Sequence, residues 1–321
     1  MRGRRVFILG VPGLALPFAA ASQAFPAKPV RIVVPFGAGG VADLTARIVA
    51  EKLGQGLGQP VVIDNKPGAG GVVAGETVAR AAPDGHTLLL MSNATAVSAG
   101  LFATLPFDAR RDFAPISTLG LFDLALLAPA TGPYRTAAEL MAGARANPGR
   151  LNIGTINVGS TQNLAAELLK TSAGLDFQVV PFNGTPALLN ALRGGQVEAC
   201  VEILAPMLGQ VRGGAVRALA VLGERRAPAL PQVPTLAESG VPGFNVASWN
   251  ALAAPAATPL QVLARLNREV HAALNSPEVA ARLEEINVTP RASTPQQLAS
   301  LLDSETRRWS EVIARARIPR Q

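Results

Sequence analysis

A glycine-rich segment near the N-terminus has the residue types and spacing of an anion-binding loop. The apolar run 32–34 predicts a buried strand, Pro35 ends it, and a helical pattern starts directly after Gly40. A loop between a strand and the first turn of a helix directs unpaired backbone N–H groups at an anion, and glycines let a ligand approach the backbone closely. We therefore expect Gly39 and Gly40 to present N–H groups to an anion, directly or through water.

Nucleotide binding is disfavoured by the glycine patterns. The first loop lacks the Lys-Ser/Thr pair of a P-loop. A second cluster, residues 70–77, has the glycine spacing of a P-loop but places Glu76 where the phosphate-binding lysine belongs, and a carboxylate there would repel a polyphosphate. For this second cluster, glycines that only permit a tight turn are as good an explanation as a ligand site.

Residues typical of catalysis or metal binding are few. His86 lies in a predicted turn and His271 on a polar helix face, and neither has the spacing of a metal-ligand motif. The single cysteine, Cys200, lies in an apolar strand-like run and is predicted to be a small buried residue. We predict no catalytic residue, no metal and no cofactor. Because carboxylates distant in sequence can meet in space, an exported α/β enzyme acting on a small organic anion is the alternative.

The first 24 residues have the composition of a cleaved export signal. A basic start with Arg4 and Arg5 precedes an apolar stretch over residues 6–21, and small residues ending at Ala24 suit a cleavage site. The stretch is too short and too interrupted to span a membrane. A signal of the Sec or twin-arginine type predicts a protein of the periplasm. Basic residues are scattered along the chain, so nucleic acid is not an expected partner.

Strand-like and helix-like segments alternate along the rest of the chain, with short loops between them. This alternation predicts an α/β fold with parallel sheets, in which ligands bind at the carboxyl ends of the strands. Two groups of such units indicate two lobes, one formed by residues 25–122 with 227–321 and the other by residues 123–226. A hinge is expected where the chain crosses between them, near residues 121–125 and 221–226.

Short motifs spread over the whole mature chain resemble, in their order, the solute receptors of tripartite tricarboxylate transporters, also called the Bug family. They include Asp43, Trp249 and the segments 25–40, 67–71, 83–88, 105–108, 192–196 and 230–235. The resemblance implies a two-lobed periplasmic-binding-protein fold of type II, the Venus-flytrap kind, with a parallel-rich sheet in each lobe. It also implies a monomer that captures a small carboxylate for the membrane components of a transporter, or for sensing.

The resemblance also implies which residues face the ligand. The first loop would hold a ligand carboxylate through backbone groups and ordered waters, and loops at the ends of other strands would complete the cleft. The implied ligand-binding residues are Phe36, Gly37, Ala38, Gly39, Gly40, Asp43, Ser92, Asn93, Thr155, Gly159, Ser160, Thr161, Asn163, Phe182, Asn183, Gly184, Thr185 and Glu202. Helix capping is an equally good explanation for Asp43, Ser160 and Thr161. Core packing is the better explanation for Phe36 and the two tryptophans.

Two segments in the second lobe depart from the family pattern. Asn163 stands where the family usually has histidine, and Phe182-Asn183 replaces a tyrosine-lysine pair, so a phenol and an ammonium group are lost. Glu198 and Glu202 follow nearby in sequence. The far half of the pocket is therefore predicted to be less cationic than usual. A mono- or dicarboxylate, or an amino-acid-like acid, then fits better than a tricarboxylate.

Overall fold

The computed structural model describes residues 25–321, so the predicted export signal lies outside the described part of the chain. The strands of this part are β1 (Val30–Val34), β2 (Val61–Asn65), β3 (Thr87–Ser92), β4 (Phe113–Pro129), β5 (Asn152–Ile156), β6 (Gln178–Phe182), β7 (Ala199–Ile203), β8 (Val216–Val221), β9 (Ala247–Pro255) and β10 (Thr289–Pro290). The helices are α1 (Val41–Leu57), α2 (Val72–Ala79), α3 (Asn93–Leu101), α4 (Ala137–Ala146), α5 (Thr161–Ser172), α6 (Thr185–Arg193), α7 (Leu204–Arg212), α8 (Leu260–Leu274), α9 (Pro277–Glu285) and α10 (Pro295–Arg315).

The strands form one continuous mixed sheet. Its order is β2-β1-β3-β9-β4-β7-β5-β6, and β8 and β10 pair with β4 outside that order. In the first lobe β2, β1 and β3 are parallel, and in the second lobe β7, β5 and β6 are parallel. The strands β4 and β9, which connect the two sets, run antiparallel to their neighbours. The predicted two-lobed α/β fold is confirmed, with parallel strands in the outer part of each lobe.

The strands β1 and β3 of the first lobe consist largely of buried apolar residues. Val33 in β1 and Leu89 in β3 face one side of the sheet, their neighbours face the other, and nearly all are buried because helices cover both faces. The strands β1 and β3 are parallel neighbours, so their carboxyl ends lie side by side. Phe36 and Ser92 are therefore brought to the same edge of the sheet.

The 17-residue strand β4 belongs to both lobes. It pairs with β9 as far as Asp123, and from Leu124 onward it pairs with β7 and β8. Residues 124–127 form an uninterrupted apolar run, whereas Pro115 and Gly120 interrupt the earlier part of the strand. Glycine is favoured at position 120 on steric grounds, because a Cβ atom there would be 2.5 Å from Cγ1 of Val288, which precedes β10.

A long segment between β8 and β9 forms backbone hydrogen bonds with residues at the end of β8. The Leu236 N–H donates a hydrogen bond to the Val221 carbonyl at 2.9 Å, next to β8. The Val246 N–H donates to the Leu222 carbonyl, and β9 begins at the following residue. We therefore propose that residues 227–246 belong to the second lobe, so that the second crossing lies near Val246, later in the chain than the sequence indicated.

Apolar cores lie on both faces of the sheet. One packs residues such as Ile32 and Leu90 against α1, α8 and α9. The core on the other face lies under α3 and α10, contains Met91 and Trp309, and continues into the second lobe through residues such as Leu164 of α5. A smaller core lies under α6 and α7. The lobes are thus joined by a shared apolar core as well as by β4.

The two tryptophans are both buried in the shared core, as predicted, but their indole N–H groups differ. The Trp309 Nε1–H donates to the Glu305 carboxylate at 2.8 Å, one turn earlier on α10. The Trp249 Nε1 is equally buried, and within residues 25–321 it has no hydrogen-bond acceptor. A comparison of phenylalanine substitutions at Trp309 and Trp249 therefore measures what one buried hydrogen bond contributes to stability.

We expect Trp309→Phe to lower the free energy of unfolding by about 1–3 kcal/mol more than Trp249→Phe does, because only the first change removes a hydrogen-bond donor from a buried carboxylate. The two substitutions remove the same atoms from side chains that are 0% and 1% exposed, so the cost of the lost volume is comparable. Urea unfolding followed by circular dichroism measures both. Equal costs would show that the bond to Glu305 contributes nothing to stability.

Candidate ligand-binding site

The glycine loop between β1 and α1 lies open at the carboxyl edge of the first lobe's sheet. Residues 37–40, including Ala38, are exposed, and Phe36 before them is half-buried. A Cβ atom at Gly37 or Gly39 would meet no other atom within 4 Å. Gly39 has a φ of +84°, a conformation that favours glycine. The loop therefore borders free space from which a ligand can approach the backbone.

Asp43, the third residue of α1, holds this loop in place. Its side chain is 1% exposed, and Oδ2 accepts hydrogen bonds from the Gly39 N–H and from Arg47 Nε, both at 2.9 Å. The Oδ1 atom accepts from Asn65 Nδ2 at 2.8 Å, and the same amide donates to the Phe36 carbonyl at 3.0 Å. Both carboxylate oxygens are thus engaged, and we assign Asp43 a positioning role in the loop.

This network corrects the expectation that both loop glycines offer their N–H groups to an anion. The Gly39 N–H is bonded to Asp43, so the donors left to an anion are those at the first turn of α1, which have no partner within the helix. Asn65 was missed by the sequence reasoning. Its position at the end of β2, the parallel neighbour of β1, is the signal that could have found it.

The charge of Asp43 is balanced within the network. Burial opposes ionisation, but the donors from Arg47, Gly39 and Asn65 outweigh it and hold the pKa of the Asp43 carboxyl below its ordinary value. The Arg47 side chain is 48% exposed and forms an ion pair with the carboxylate. An anion near the loop therefore meets the N-terminal end of α1 rather than an uncompensated carboxylate.

A loop of the second lobe, between β5 and α5, repeats this arrangement with a neutral side chain. The Gly159 N–H donates to Oδ1 of Asn163 at 3.1 Å, and Asn163 is the third residue of α5 as Asp43 is of α1. Gly159 has a φ of +79°, close to that of Gly39. The Asn163 amide also donates to Oγ1 of the buried Thr155 at 3.3 Å. Asn163 therefore holds its loop through hydrogen bonds within the second lobe.

Ser160 and Thr161 open α5 in different ways. The Ser160 Oγ accepts the Asn163 N–H at 3.1 Å as an N-cap, and its hydroxyl donates to the Ile156 carbonyl at 2.8 Å. Thr161 is the first residue of the helix and is half-buried. Of the two explanations offered by the sequence, capping is therefore confirmed for Ser160, and the cap of α5 does not come from Thr161.

Glu202 is a buried acidic residue at the carboxyl end of β7. It is 1% exposed, and its Oε1 accepts from Gln162 Nε2 at 2.6 Å and from the Ile203 N–H at 2.7 Å. The Oε2 atom accepts from the Thr185 hydroxyl at 2.9 Å. Burial raises the pKa of the Glu202 carboxyl above its ordinary value, and the three donors oppose this shift. Gln162, which the sequence reasoning missed, is thus part of the same group.

Glu198, which the sequence placed near Glu202, lies at the opposite end of β7. Its carboxylate accepts the N–H of Asn152, at the start of β5, at 2.8 Å. Strand geometry explains the separation, because residues four apart in a strand share a face but are about 13 Å apart along it. Only one of the two acidic residues therefore lies at the edge where the loops gather.

The turn after β6 places Asn183 at the surface. The Phe182 carbonyl accepts the N–H groups of Asn157 and Gly184, both at 3.0 Å, which ties this turn to the loop after β5. Gly184 has a φ of +87° and directly precedes α6. Phe182 is half-buried and Asn183 is exposed. The two second-lobe loops are therefore neighbours at one edge of the sheet.

Ser92 and Asn93, at the end of β3, belong to the framework of the first lobe. The Ser92 Oγ accepts the Ala94 N–H at 3.2 Å and caps α3. Asn93 is 1% exposed, its Oδ1 accepts the Trp249 N–H at 3.2 Å, and its Nδ2 contacts Glu305 at 3.5 Å. The structure therefore directs the Asn93 side chain toward β9 and α10 rather than toward the glycine loop.

The second-lobe loop after β5 contacts the first lobe. A Cβ atom on Gly159 would lie 2.5 Å from Cδ2 of Leu101, at the end of α3. Glycine at this position is therefore required both by its positive φ and by the close approach of the two lobes. The contact places the loop after β5 across the cleft from the first lobe.

The chemical groups that these loops supply are backbone N–H groups, amides and hydroxyls. Among residues 25–321, no three histidine, cysteine, aspartate or glutamate side chains are grouped as a metal ion requires. Cys200 is fully buried in β7, and burial raises the pKa of its thiol. No helix in the described part of the chain is both long enough and apolar enough to cross a membrane. The arrangement suits hydrogen bonding to a small polar or anionic ligand.

Asp43→Asn is expected to lower the free energy of unfolding at neutral pH by about 1–2 kcal/mol, because charge-assisted hydrogen bonds to Gly39 and Arg47 lose their carboxylate. Since folding lowers the pKa of Asp43, this stabilisation is fully present above the unfolded-state pKa and is lost as the pH falls through the folded-state pKa. Urea unfolding at neutral pH and near pH 3 measures the change. Asp64→Asn, at a partly exposed ion pair, is the control with an expected effect near zero.

Comparisons with known proteins identify the family. Residues 45–318 match the tripartite tricarboxylate transporter family receptor. BugT of Bordetella pertussis is 34% identical over 307 residues, which cover 95% of this chain and 94% of that protein. A solved R. palustris protein with adipate has 34% identity, a TM-score of 0.81 and coverage of 92% of this chain and 100% of its own. MatC from Rhodopseudomonas palustris with bound malate has 35% identity and a TM-score of 0.76, and the match covers 90% of this chain and 100% of MatC. The chain therefore belongs to the tripartite tricarboxylate transporter receptor family, the Bug family of periplasmic solute-binding proteins.

Proposed function

We propose that this protein is a periplasmic receptor that captures a small mono- or dicarboxylate, or an amino-acid-like acid. The observation that carries the proposal is the open glycine loop after β1, held by Asp43 at the first turn of α1. The adipate and malate in the two R. palustris structures support a carboxylate as the ligand. We further propose that the N-terminal signal exports the protein, that it acts as a monomer, and that it delivers the acid to transporter membrane components or to a sensor without converting it.

A carboxylate at the loop would be held by backbone dipoles rather than by a cationic side chain. The first turn of α1 offers N–H groups without a partner in the helix, together with the positive end of the helix dipole. Ordered water can bridge a carboxylate and the loop nearly as well as a direct bond. Asp43 and Arg47 compensate each other, so the loop adds little repulsion of its own.

We infer two groups of residues in the proposed cleft. Those proposed to face the ligand are Phe36, Gly37, Ala38, Gly39, Gly40, Thr161, Asn183 and Gly184. Those proposed to position the loops are Asp43, Ser92, Asn93, Thr155, Ser160, Asn163, Phe182, Thr185 and Glu202, with Gly159 at the contact between the lobes. The division follows the hydrogen bonds, because the polar side chains of the second group, and the Phe182 carbonyl, already bond within the protein.

Gly40→Val tests the loop without straining the backbone. Gly40 has an extended conformation, φ −77° and ψ 165°, which valine adopts readily, and a Cβ atom there would meet only the Gly37 carbonyl at 3.8 Å. We expect the variant to fold with a loss of about 1 kcal/mol from the weaker helix cap and to lose the rise in melting temperature that a bound acid produces. Gly39 is less suitable, because its positive φ would strain any side chain.

The control for this variant is Gly209→Val, at an exposed site on α7 where a side chain also meets open space. It should keep the full ligand-induced stabilisation. If Gly40→Val is stabilised by the same acids as the unmodified protein, the loop does not form part of the site and the proposed function loses the observation that carries it.

The ligand class is tested by melting temperatures measured with acids of increasing charge. We expect a monocarboxylate or an amino-acid-like acid to raise the melting temperature more than citrate at equal concentration, because Asn163 and Asn183 offer no cation to further carboxylates. A ligand at ~100 times its Kd stabilises the native state by about 2.7 kcal/mol, which is readily measured. Citrate as the tightest ligand would contradict this ligand class, and consumption of the acid during incubation would favour the enzyme alternative.

A further inference from the structure

Three helices of the second lobe begin around the buried carboxylate of Glu202. Gln162 is the second residue of α5, Thr185 is the first residue of α6, and Ile203 directly precedes α7. Each contributes one hydrogen-bond donor to Glu202. Helix N-termini attract negative charge, and their convergence marks a natural position for an anion. In this chain the protein places its own carboxylate there.

The hydrogen bonds show that the position is occupied rather than shared. An ionised carboxylate accepts about four hydrogen bonds, and Glu202 already accepts three, at 2.6, 2.7 and 2.9 Å. Two of them end on Oε1 and come from N–H groups, which can only donate. A ligand carboxylate brought to this place would find these donors engaged and a like charge beside it.

The two lobes differ in how they treat their buried acidic residue. Asp43 in the first lobe is paired with Arg47, so the positive end of α1 stays available to a ligand. Among residues 25–321, no lysine or arginine forms an ion pair with Glu202, whose donors are two neutral side chains and one backbone N–H. The second lobe therefore presents an acidic residue without a paired cation, whereas the first presents a helix N-terminus whose acidic residue is paired with arginine.

We propose that Glu202 determines specificity by filling the anion position of the second lobe, so that the end of the ligand facing this lobe is uncharged. The inference rests on the proposed receptor function and narrows the ligand class. The ligand is an acid whose single carboxylate lies at the glycine loop of the first lobe and whose far end is an amide, a hydroxyl or an alkyl group. Repulsion from Glu202 and the engagement of its three donors disfavour a second ligand carboxylate at this position.

Glu202→Gln removes the charge while keeping the shape and the hydrogen bonds. Its amide oxygen can accept from Gln162 and Ile203, and its amide nitrogen can donate to the Thr185 hydroxyl, which both donates and accepts. Glu198→Gln is the matched control. It is the same substitution four residues earlier on the same side of the strand region, at a carboxylate that accepts the Asn152 N–H.

Isothermal titration with matched ligand pairs measures the effect. Succinate and succinamate, glutarate and glutaramate, and adipate and adipamate differ within each pair only in whether the far end is a carboxylate or a neutral amide. We expect the unmodified protein to bind the monoamide of the best-fitting length at least as tightly as the diacid. In Glu202→Gln the ratio of the two Kd values should shift toward the diacid by at least about tenfold, or 1.4 kcal/mol. In Glu198→Gln the ratio should stay unchanged.

The ratio separates specificity from stability, because a general loosening of the second lobe weakens both members of a pair equally. A diacid preference in the unmodified protein overturns the inference even if the variant does not fold. A ratio that Glu202→Gln leaves unchanged also overturns it, and in both cases the receptor function stands. If no member of any pair binds to the unmodified protein, the proposed carboxylate function itself is contradicted.

Discussion

The pairing of one strand, β4, with partners in both lobes is the constraint on which the rest of the structure depends. Its hydrogen bonds go to β9 up to Asp123 and to β7 and β8 from Leu124. Because both halves of the sheet share this strand, the carboxyl ends of β1 and β3 in one lobe face those of β5, β6 and β7 in the other. Every loop of the candidate site starts at one of these ends, so strand direction alone gathers segments that are far apart in the chain.

Within that frame, each lobe uses one hydrogen bond to shape its loop. A glycine N–H with positive φ donates to the third residue of the following helix, from Gly39 to Asp43 in the first lobe and from Gly159 to Asn163 in the second. The bond ties the loop to the first turn of the helix that follows it. The geometry is the same in both lobes, but the charges are not: an aspartate neutralised by arginine supports one loop and a neutral amide the other, while Glu202 lies beneath the second-lobe helices.

The sequence by itself determined the features that depend on neighbouring residues. The apolar run of β1, the glycines after it and the helical pattern from residue 41 define a strand, a loop and a helix within a few residues of one another. The Ser160 cap has the same local origin. The alternation of strands and helices predicted the α/β fold, and motifs spread along the chain indicated the family. The buried state of Cys200 and Trp309 followed from apolar periodicity, which reports burial because it reflects the side of an element that faces a core.

Only the tertiary structure decided the partners of the polar side chains. Asn65 reaches Asp43 because β2 lies beside β1, and Gln162 reaches Glu202 because β7 lies beside β5. Strand order and register set these contacts, and no pattern within a helical turn encodes them. Glu198 and Glu202 are likewise close in sequence, but they lie at opposite ends of β7 and bind different partners. The segment before β9 gave no periodic signal because it consists of short turns, so the proposal that it belongs to the second lobe rests on its contacts with the end of β8.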